Sequence, residues 1–340
     1  MALAGRIETL LARHWWRARP SWFSRCLLPL SWLYDALRHL AAARSPLRAP
    51  VPVVVVGNLI AGGAGKTPTV IALVQALREA GWRPGVVSRG HGGSASEARA
   101  VAADAVAGEV GDEALLIARR SGVPVWIGRR RVEAARALCR AEPGVDLIVS
   151  DDGLQHAALA RELEIVVFDE RGAGNGLLLP AGPLREPLPA AAGDRLVLYN
   201  AAAPSTALAG ACATRSIGGV LALERWRSGA PGEARALAEL RGRRLVAAAG
   251  IGAPERFFAA LEAAGLEIER LPLPDHHDYA TLPWPATTAD VVTTEKDAVK
   301  IDPARCAATR VWVARLDFAL PPAFVGDVLR RLGRPPDPRR

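Results

Sequence analysis

One stretch, Gly57-Asn-Leu-Ile-Ala-Gly-Gly-Ala-Gly-Lys-Thr67, constrains the fold more than any other. It follows the apolar run Val53–Val56 and opens a segment with helical spacing, where Val70, Leu73, Val74 and Leu77 recur on one face before Gly81 stops it. A glycine-rich turn between a buried strand and a helix aims backbone N–H groups and the positive end of the helix dipole at one point. That is a cradle for a polyphosphate, and the strand feeding it belongs in a parallel sheet. Ile60, Ala61, Gly62, Gly63, Ala64 and Gly65 would form the cradle. Lys66 would reach the β- and γ-phosphates, and Thr67 would offer its hydroxyl to Mg²⁺. ATP and Mg²⁺ are the expected cofactors. A guanine-reading motif is absent, because Thr294-Glu-Lys-Asp297 sets Lys and Asp side by side.

The lysine count supports this reading. Of 43 Lys and Arg residues only Lys66, Lys296 and Lys300 are lysines. The chance reading fails for Lys66; Lys300 is read as a chance survivor. The loop departs from the usual P-loop pattern, with Ile60 where the first glycine stands. It reads instead as the G-G-x-G-K-T variant. Members of that branch that form ATP-bridged dimers carry a lysine before the double glycine, where this chain has Ala61.

A P-loop needs an acid near the metal, at the end of a neighbouring strand. Val145–Val149 reads as that strand, and Asp151 and Asp152 follow it. Adjacent carboxylates repel unless a cation sits between them; their plainer use is a turn and a helix N-cap.

Strands at Pro84–Ser88, Glu164–Phe168 and Arg195–Tyr199 and helices at Ala114–Arg120 and Arg131–Ala141 extend the alternation. The expected fold is α/β: a P-loop NTPase-type, mostly parallel sheet with helices on both faces, a second smaller α/β domain and an N-terminal amphipathic helical arm. The second domain is read from strands at Arg244–Ala249, Glu267–Leu271, Asp290–Thr293 and Val311–Ala314 and a helix at Pro254–Ala264. The expected boundaries are 1–49 for the arm, 50–204 for the P-loop domain, 205–329 for the smaller domain and 330–340 for a disordered basic tail.

The arm holds eight Arg against two acids, and Trp15, Trp16, Trp22 and Trp32. Arg25–Leu40 suits a helix lying in a lipid interface, with Trp and Leu in the acyl boundary and Arg at anionic headgroups. The same composition also suits an arm packed on its own domain, or a nucleic-acid patch. No run of about 18 uncharged apolar residues exists to span a bilayer, and no cleavable signal peptide is read. The four cysteines show neither C-x-x-C nor zinc spacing, which suits free thiols in a reducing compartment.

Several blocks, in order, resemble the tetraacyldisaccharide 4′-kinase family. They are VVGNLIAGGAGKTP (55–68), SRGHGG (88–93), GDEALL (111–116), SDDGLQH (150–156), GNGLLLPAGPLREPL (174–188), DHHDY (275–279) and TEKDAVK (294–300). The resemblance implies a kinase that moves the γ-phosphoryl of ATP to the 4′-hydroxyl of a tetraacylated glucosamine disaccharide 1-phosphate, giving lipid IVA in lipid A biosynthesis. It implies work at the cytoplasmic face of the inner membrane, as a peripheral protein on an anionic surface. The glycolipid is the expected partner; no nucleic acid and no obligate protein partner are expected. Two α/β domains with the site in the cleft between them are implied, the smaller closing over it.

By the same resemblance Asp112 is the base for the sugar hydroxyl and His276 its partner. Read alone, Asp112 is a helix N-terminal acid. Arg185 would hold a phosphate or an interdomain salt bridge. Glu186 would complete the Mg²⁺ shell, and Gln155 would touch metal or phosphate. His156 lines the same site, and Arg89 is placed to meet phosphate or substrate. Lys296 and Asp297 would serve nucleotide binding or domain closure. Two departures from the family, Ala114 for Pro and His91 for Tyr, are expected to touch no group assigned to the chemistry. The alternative function is a membrane-associated P-loop ATPase switch that positions other proteins. Ala61 argues against it, as does the Asp112/His276 pair, which a switch does not need. A non-enzymatic membrane adaptor with a degenerate nucleotide site is a third reading, opposed by the intact Lys66-Thr67 and Asp151-Asp152.

Overall fold

The computed structural model describes residues 10–42, 45–94, 97–229, 237–306 and 308–335. These form two compact units: one from the stretches 1–89, 130–214 and 320–340, the other from 90–129 and 215–319.

In the first unit, β1 (Val53–Gly57) is buried at every position, as an apolar run between two neighbours must be. β2 (Pro84–Ser88) follows, and the chain then passes through β3 (Arg99–Ala100) and β4 (Val125–Ile127) of the second unit. It returns with β5 (Leu147–Asp151), β6 (Leu163–Asp169), β7 (Leu196–Asn200) and β8 (Ala211–Cys212). The six strands of this unit run in the order β2-β5-β1-β6-β7-β8, all parallel. Parallel strands end on one edge, so the C-termini of β1, β2 and β5 share it. The helix Lys66–Glu79 packs on β1, β2 and β5, and the helix Arg131–Ala141 on β2.

The second unit has a five-stranded sheet. Its strands are β9 (Thr214–Ala222), β10 (Leu245–Ala249), β11 (Ile268–Pro272), β12 (Asp290–Thr294) and β13 (Arg310–Ala319), in the order β11-β10-β12-β13-β9. Phe257, Phe258 and Leu261 of the helix Pro254–Ala263 fill a core with Val220, Val292 and Trp312.

The strands and helices expected in the two α/β domains lie within two residues of those observed, except that β13 runs on to Ala319; in the arm, the expected stretch Arg25–Leu40 is split into the helices Trp22–Cys26 and Leu28–Ala42. Three differences follow from packing. Residues 90–129 group with the second unit: Arg120 pairs with buried Glu295, and Arg119 stacks over the Trp226 ring at 5.6 Å. The expected disordered tail is helical as far as Leu332, because Phe324 and Val328 are buried and the helix Pro322–Leu332 packs on Lys66–Glu79; residues 336–340 of that expectation lie outside the described residues. The arm, whose residues 1–9 and 43–44 also lie outside them, is fastened to the first unit. Trp15 Nε1 donates to the Pro180 carbonyl at 2.8 Å, Ser31 Oγ to Leu178 O at 2.9 Å and Tyr34 OH to Arg185 O at 2.9 Å.

Helical spacing makes the helix Leu28–Ala42 inside-out. Ser31 and Tyr34 face the protein, while Leu30, Leu33, Leu37 and Leu40 form an exposed stripe joined by Trp32, itself 67% exposed. None of the described helices is long and apolar enough to cross a membrane.

Candidate functional site

The first unit carries the phosphate loop. Between Gly57 and Gly62 the single polar side chain, Asn58, is fully buried and organises the turn. Its Nδ2 donates to Gly62 O at 2.9 Å, and its Oδ1 accepts from Lys66 Nζ at 3.2 Å. Lys66 is the first residue of its helix and only 8% exposed. Its Nζ lies 3.6 Å from Asp152 Oδ1. Arg185 Nη1 donates to both Asp152 oxygens, at 3.2 and 3.4 Å. Arg185 thus pairs within its own unit.

β5 delivers Asp151 beside Val56 of β1. Asp151 is buried, its Oδ2 accepting from Ser88 Oγ at 3.0 Å. Asp152 turns into the left-handed region, at φ 47°, which Asp and Asn tolerate better than most residues. Beneath the turn, buried Arg131 donates to the carbonyls of Asp151 and Asp152, each at 3.2 Å. Burial pushes the Asp152 carboxyl upward, but Lys66, Arg185 and Arg131 outweigh it and hold it below the usual carboxylate range.

Of the five predicted metal ligands, Gln155 and Glu186 touch each other, and Gln155 shares Arg185 Nη1 with Asp152, its Oε1 accepting at 3.3 Å. Gln155 Nε2 donates to Asn58 O at 3.2 Å and Glu186 Oε1 at 3.1 Å, while Glu186 Oε2 lies 3.3 Å from Arg195 Nη2. Among the described residues no three His, Cys, Asp or Glu side chains form a metal cage. Thr67 and the Asp151/Asp152 pair nevertheless fit Mg²⁺, which is commonly held by one or two carboxylates together with water and nucleotide phosphates.

The second unit holds a different constellation. Asp112 opens the helix Asp112–Ser121 and is 5% exposed. Gly111 precedes it at φ 87°, where an added Cβ would stand 2.4 Å from His91 O. The turn therefore demands glycine. Asp112 Oδ1 accepts from the Glu113 N–H at 2.9 Å, and Oδ2 meets His276 Nδ1 at 2.9 Å. His276 sits at φ 59°, an uncommon conformation for a non-glycine residue. Its other ring nitrogen, Nε2, faces Lys296 Nζ at 3.4 Å. An ammonium can only donate, so a neutral His276 carries its proton on Nδ1 and gives it to Asp112.

Burial alone would raise the Asp112 carboxyl; the His276 hydrogen bond and the charges of Lys296 and Lys300 win and hold it low. His276 is raised, chiefly by that same hydrogen bond.

Lys296 also reaches Glu113 Oε1 at 3.4 Å and Asp275 Oδ1 at 3.3 Å. Lys300, read from sequence as chance, is buried, with Nζ 3.6 Å from Asp112 Oδ2 and 3.1 Å from Asp297 Oδ1. His91, expected to touch nothing relevant, packs its ring edge-on to His276 at 5.7 Å. Sequence reasoning missed Asn58, Ser88, Arg131 and Lys300. The scarcity of lysine was a signal for the last, and an isolated polar residue in an apolar stretch was one for Asn58.

Residues 23–333 match the family model for tetraacyldisaccharide-1-P 4′-kinase. A tetraacyldisaccharide 4′-kinase of Methylibium petroleiphilum is 54% identical over 98% of this chain and 96% of its own length. One of Leptothrix cholodnii is 57% identical over 85% of each. A crystal structure of LpxK from Aquifex aeolicus, described as an apo form in complex with ATP, shares the fold with a TM-score of 0.73 at 24% identity, covering 92% of this chain and all of that one.

Proposed function

Because the chain belongs to the tetraacyldisaccharide-1-P 4′-kinase family, we propose that it transfers the γ-phosphoryl group of ATP to the 4′-hydroxyl of a tetraacylated glucosamine disaccharide 1-phosphate. The observation that carries the reading is the buried Asp112 carboxylate with His276 Nδ1 at 2.9 Å. A nucleotide-driven switch has no use for such a pair; a hydroxyl acceptor does.

The phosphate loop of the first unit binds the nucleotide. Its N–H groups and Lys66 take the polyphosphate, and Arg185 steadies the group in flight or the substrate's own phosphate. Thr67 and Asp152, with Asp151 beside it, would hold Mg²⁺. That site would supply charge neutralisation for the bound polyphosphate.

Asp112 receives the hydroxyl. His276 and Lys300 engage Oδ2, so Oδ1, whose partner is the Glu113 N–H, is the atom that accepts the proton as the phosphorus–oxygen bond forms. A carboxylate held low is a weak base. In a loose phosphoryl-transfer transition state the proton moves late, so the gain is chiefly orientation of the nucleophile.

Peripheral docking on the cytoplasmic face of the inner membrane completes the reading. Four acyl chains do not leave a bilayer cheaply, at about 0.8 kcal/mol per buried methylene, so the enzyme goes to the lipid. The exposed leucine stripe of the helix Leu28–Ala42 supports this.

The test is transfer of labelled phosphate from ATP to the tetraacyl disaccharide 1-phosphate in mixed micelles, with Asp112→Ala alongside. Labelled bisphosphorylated lipid from wild type and almost none from the variant is the expected result. No labelled lipid from folded, ATP-binding wild type would overturn the acceptor.

A further inference from the structure

Lys300 is the least explained charge in the second unit. Its side chain is 6% exposed, and burying a cation is costly unless anions answer it. Asp297, itself fully buried, lies 3.1 Å away through Oδ1. The Tyr279 ring stands 5.5 Å from the ammonium, close enough for a cation–π contribution.

Asp297 is a rigid anchor. Its Oδ2 accepts the Gly250 N–H at 3.0 Å, just past β10, and the Thr294 hydroxyl at 2.7 Å, at the end of β12. A lysine needed only to neutralise Asp297 could have stopped there. This one also reaches the single carboxylate assigned to the acceptor hydroxyl, at 3.6 Å. It meets the same Oδ2 that His276 holds, leaving Oδ1 unencumbered by cations.

We infer that Lys300 is a positioning residue for the transfer proposed above: braced by Asp297 and Tyr279, its ammonium keeps the Asp112 carboxylate ionised and aimed. The inference rests on the reading of Asp112 as the base. The charged and titratable groups around that carboxylate are His276, Lys296, Lys300 and Glu113, with Asp275 and Asp297 behind them.

The experiment measures initial rates against pH for full-length protein in mixed micelles. It compares wild type, Lys300→Met, Asp297→Asn/Lys300→Met and Asp112→Asn, each with a thermal melt. Lys300→Met should lower kcat by about tenfold or more while KM for ATP stays within about twofold. Its acid limb should move up by roughly one pH unit, since a cation that favoured the ionised form is gone. The paired variant removes both buried charges, so it should regain stability without regaining rate. A kcat and acid limb like wild type in Lys300→Met, or a rate that returns with stability in the paired variant, would reduce Lys300 to a structural ion pair. If Asp112→Asn itself turns over normally, the base assignment falls and takes this inference with it. If Asp112→Asn is inactive while Lys300→Met is normal, the inference alone falls.

Discussion

Asp152→Asn separates charge from backbone at the phosphate loop. Asparagine tolerates the φ of 47° at this position, whereas alanine would add about 1–2 kcal/mol of left-handed strain. What changes is the anion between Lys66 Nζ at 3.6 Å and Arg185 Nη1 at 3.2 Å. At an effective dielectric constant of about 20, gross attractions at these separations are roughly 5 kcal/mol each. The Asp152 side chain is 32% exposed, so desolvation and solvent screening cut the net loss to about 1–3 kcal/mol. Two cations are then left unanswered where a polyphosphate is proposed to sit. Metal-free ATP should bind about tenfold tighter, a gain of about 1.4 kcal/mol, while the benefit of adding Mg²⁺ should shrink and turnover collapse. Calorimetric ATP titrations in chelator and in Mg²⁺, beside a rate assay, read all three. Wild-type affinities in both buffers with normal turnover would refute the argument and leave Asp152 a turn residue.

Gly65→Ala should abolish ATP binding in calorimetry while the protein stays folded: φ is +91° and the new Cβ would stand 2.1 Å from Asn200 Nδ2, a strain of about 1–3 kcal/mol before the clash. The melting-temperature gap between wild type and His276→Asn should depend on pH. His276 is raised, so its contribution is complete below about pH 6.5 and lost as pH rises through its folded value. Asp112 is lowered, so its share is complete above about pH 3.9 and lost as pH falls through its folded value. The gap should therefore be widest in mildly acidic buffer, and a pH-independent gap would contradict the pairing. Leu33→Glu and Leu37→Glu alter side chains 56% and 57% exposed. Melting should stay within about 0.5 kcal/mol of wild type, while flotation with anionic vesicles should weaken by about tenfold or more for each leucine.

What was legible in the sequence was local. The valines of β1, the glycines after it and the helix that follows lie within 27 residues, from Val53 to Glu79, and each element's pattern agrees with its neighbours. Asp112 and His276 are 164 positions apart, and only family likeness joined them. Lys300 was dismissed because nothing in its surrounding letters says it is buried. The arm posed a different problem. Its leucine spacing was visible, but apolar residues are expected inside, so packing on the protein and contact with lipid looked like rivals. The structure shows polar residues inward and leucines outward on one helix, so packing does not exclude an apolar face open to lipid. Glu186 stands 34 positions after Asp152, so the chain of contacts from Asp152 through Arg185 and Gln155 to Glu186 could not be read from local sequence.

The bolted arm has a geometric consequence. A floppy amphipathic tether would raise the local concentration of enzyme at a bilayer and nothing more. Here Tyr34 grips the carbonyl of Arg185 itself, and Ser31 and Trp15 grip the same loop at Leu178 and Pro180. A surface that accepts the leucine stripe therefore sets the height and tilt of Arg185 and of the loop that carries it. In the membrane docking proposed above, the helix would serve as gauge and the bilayer as datum plane.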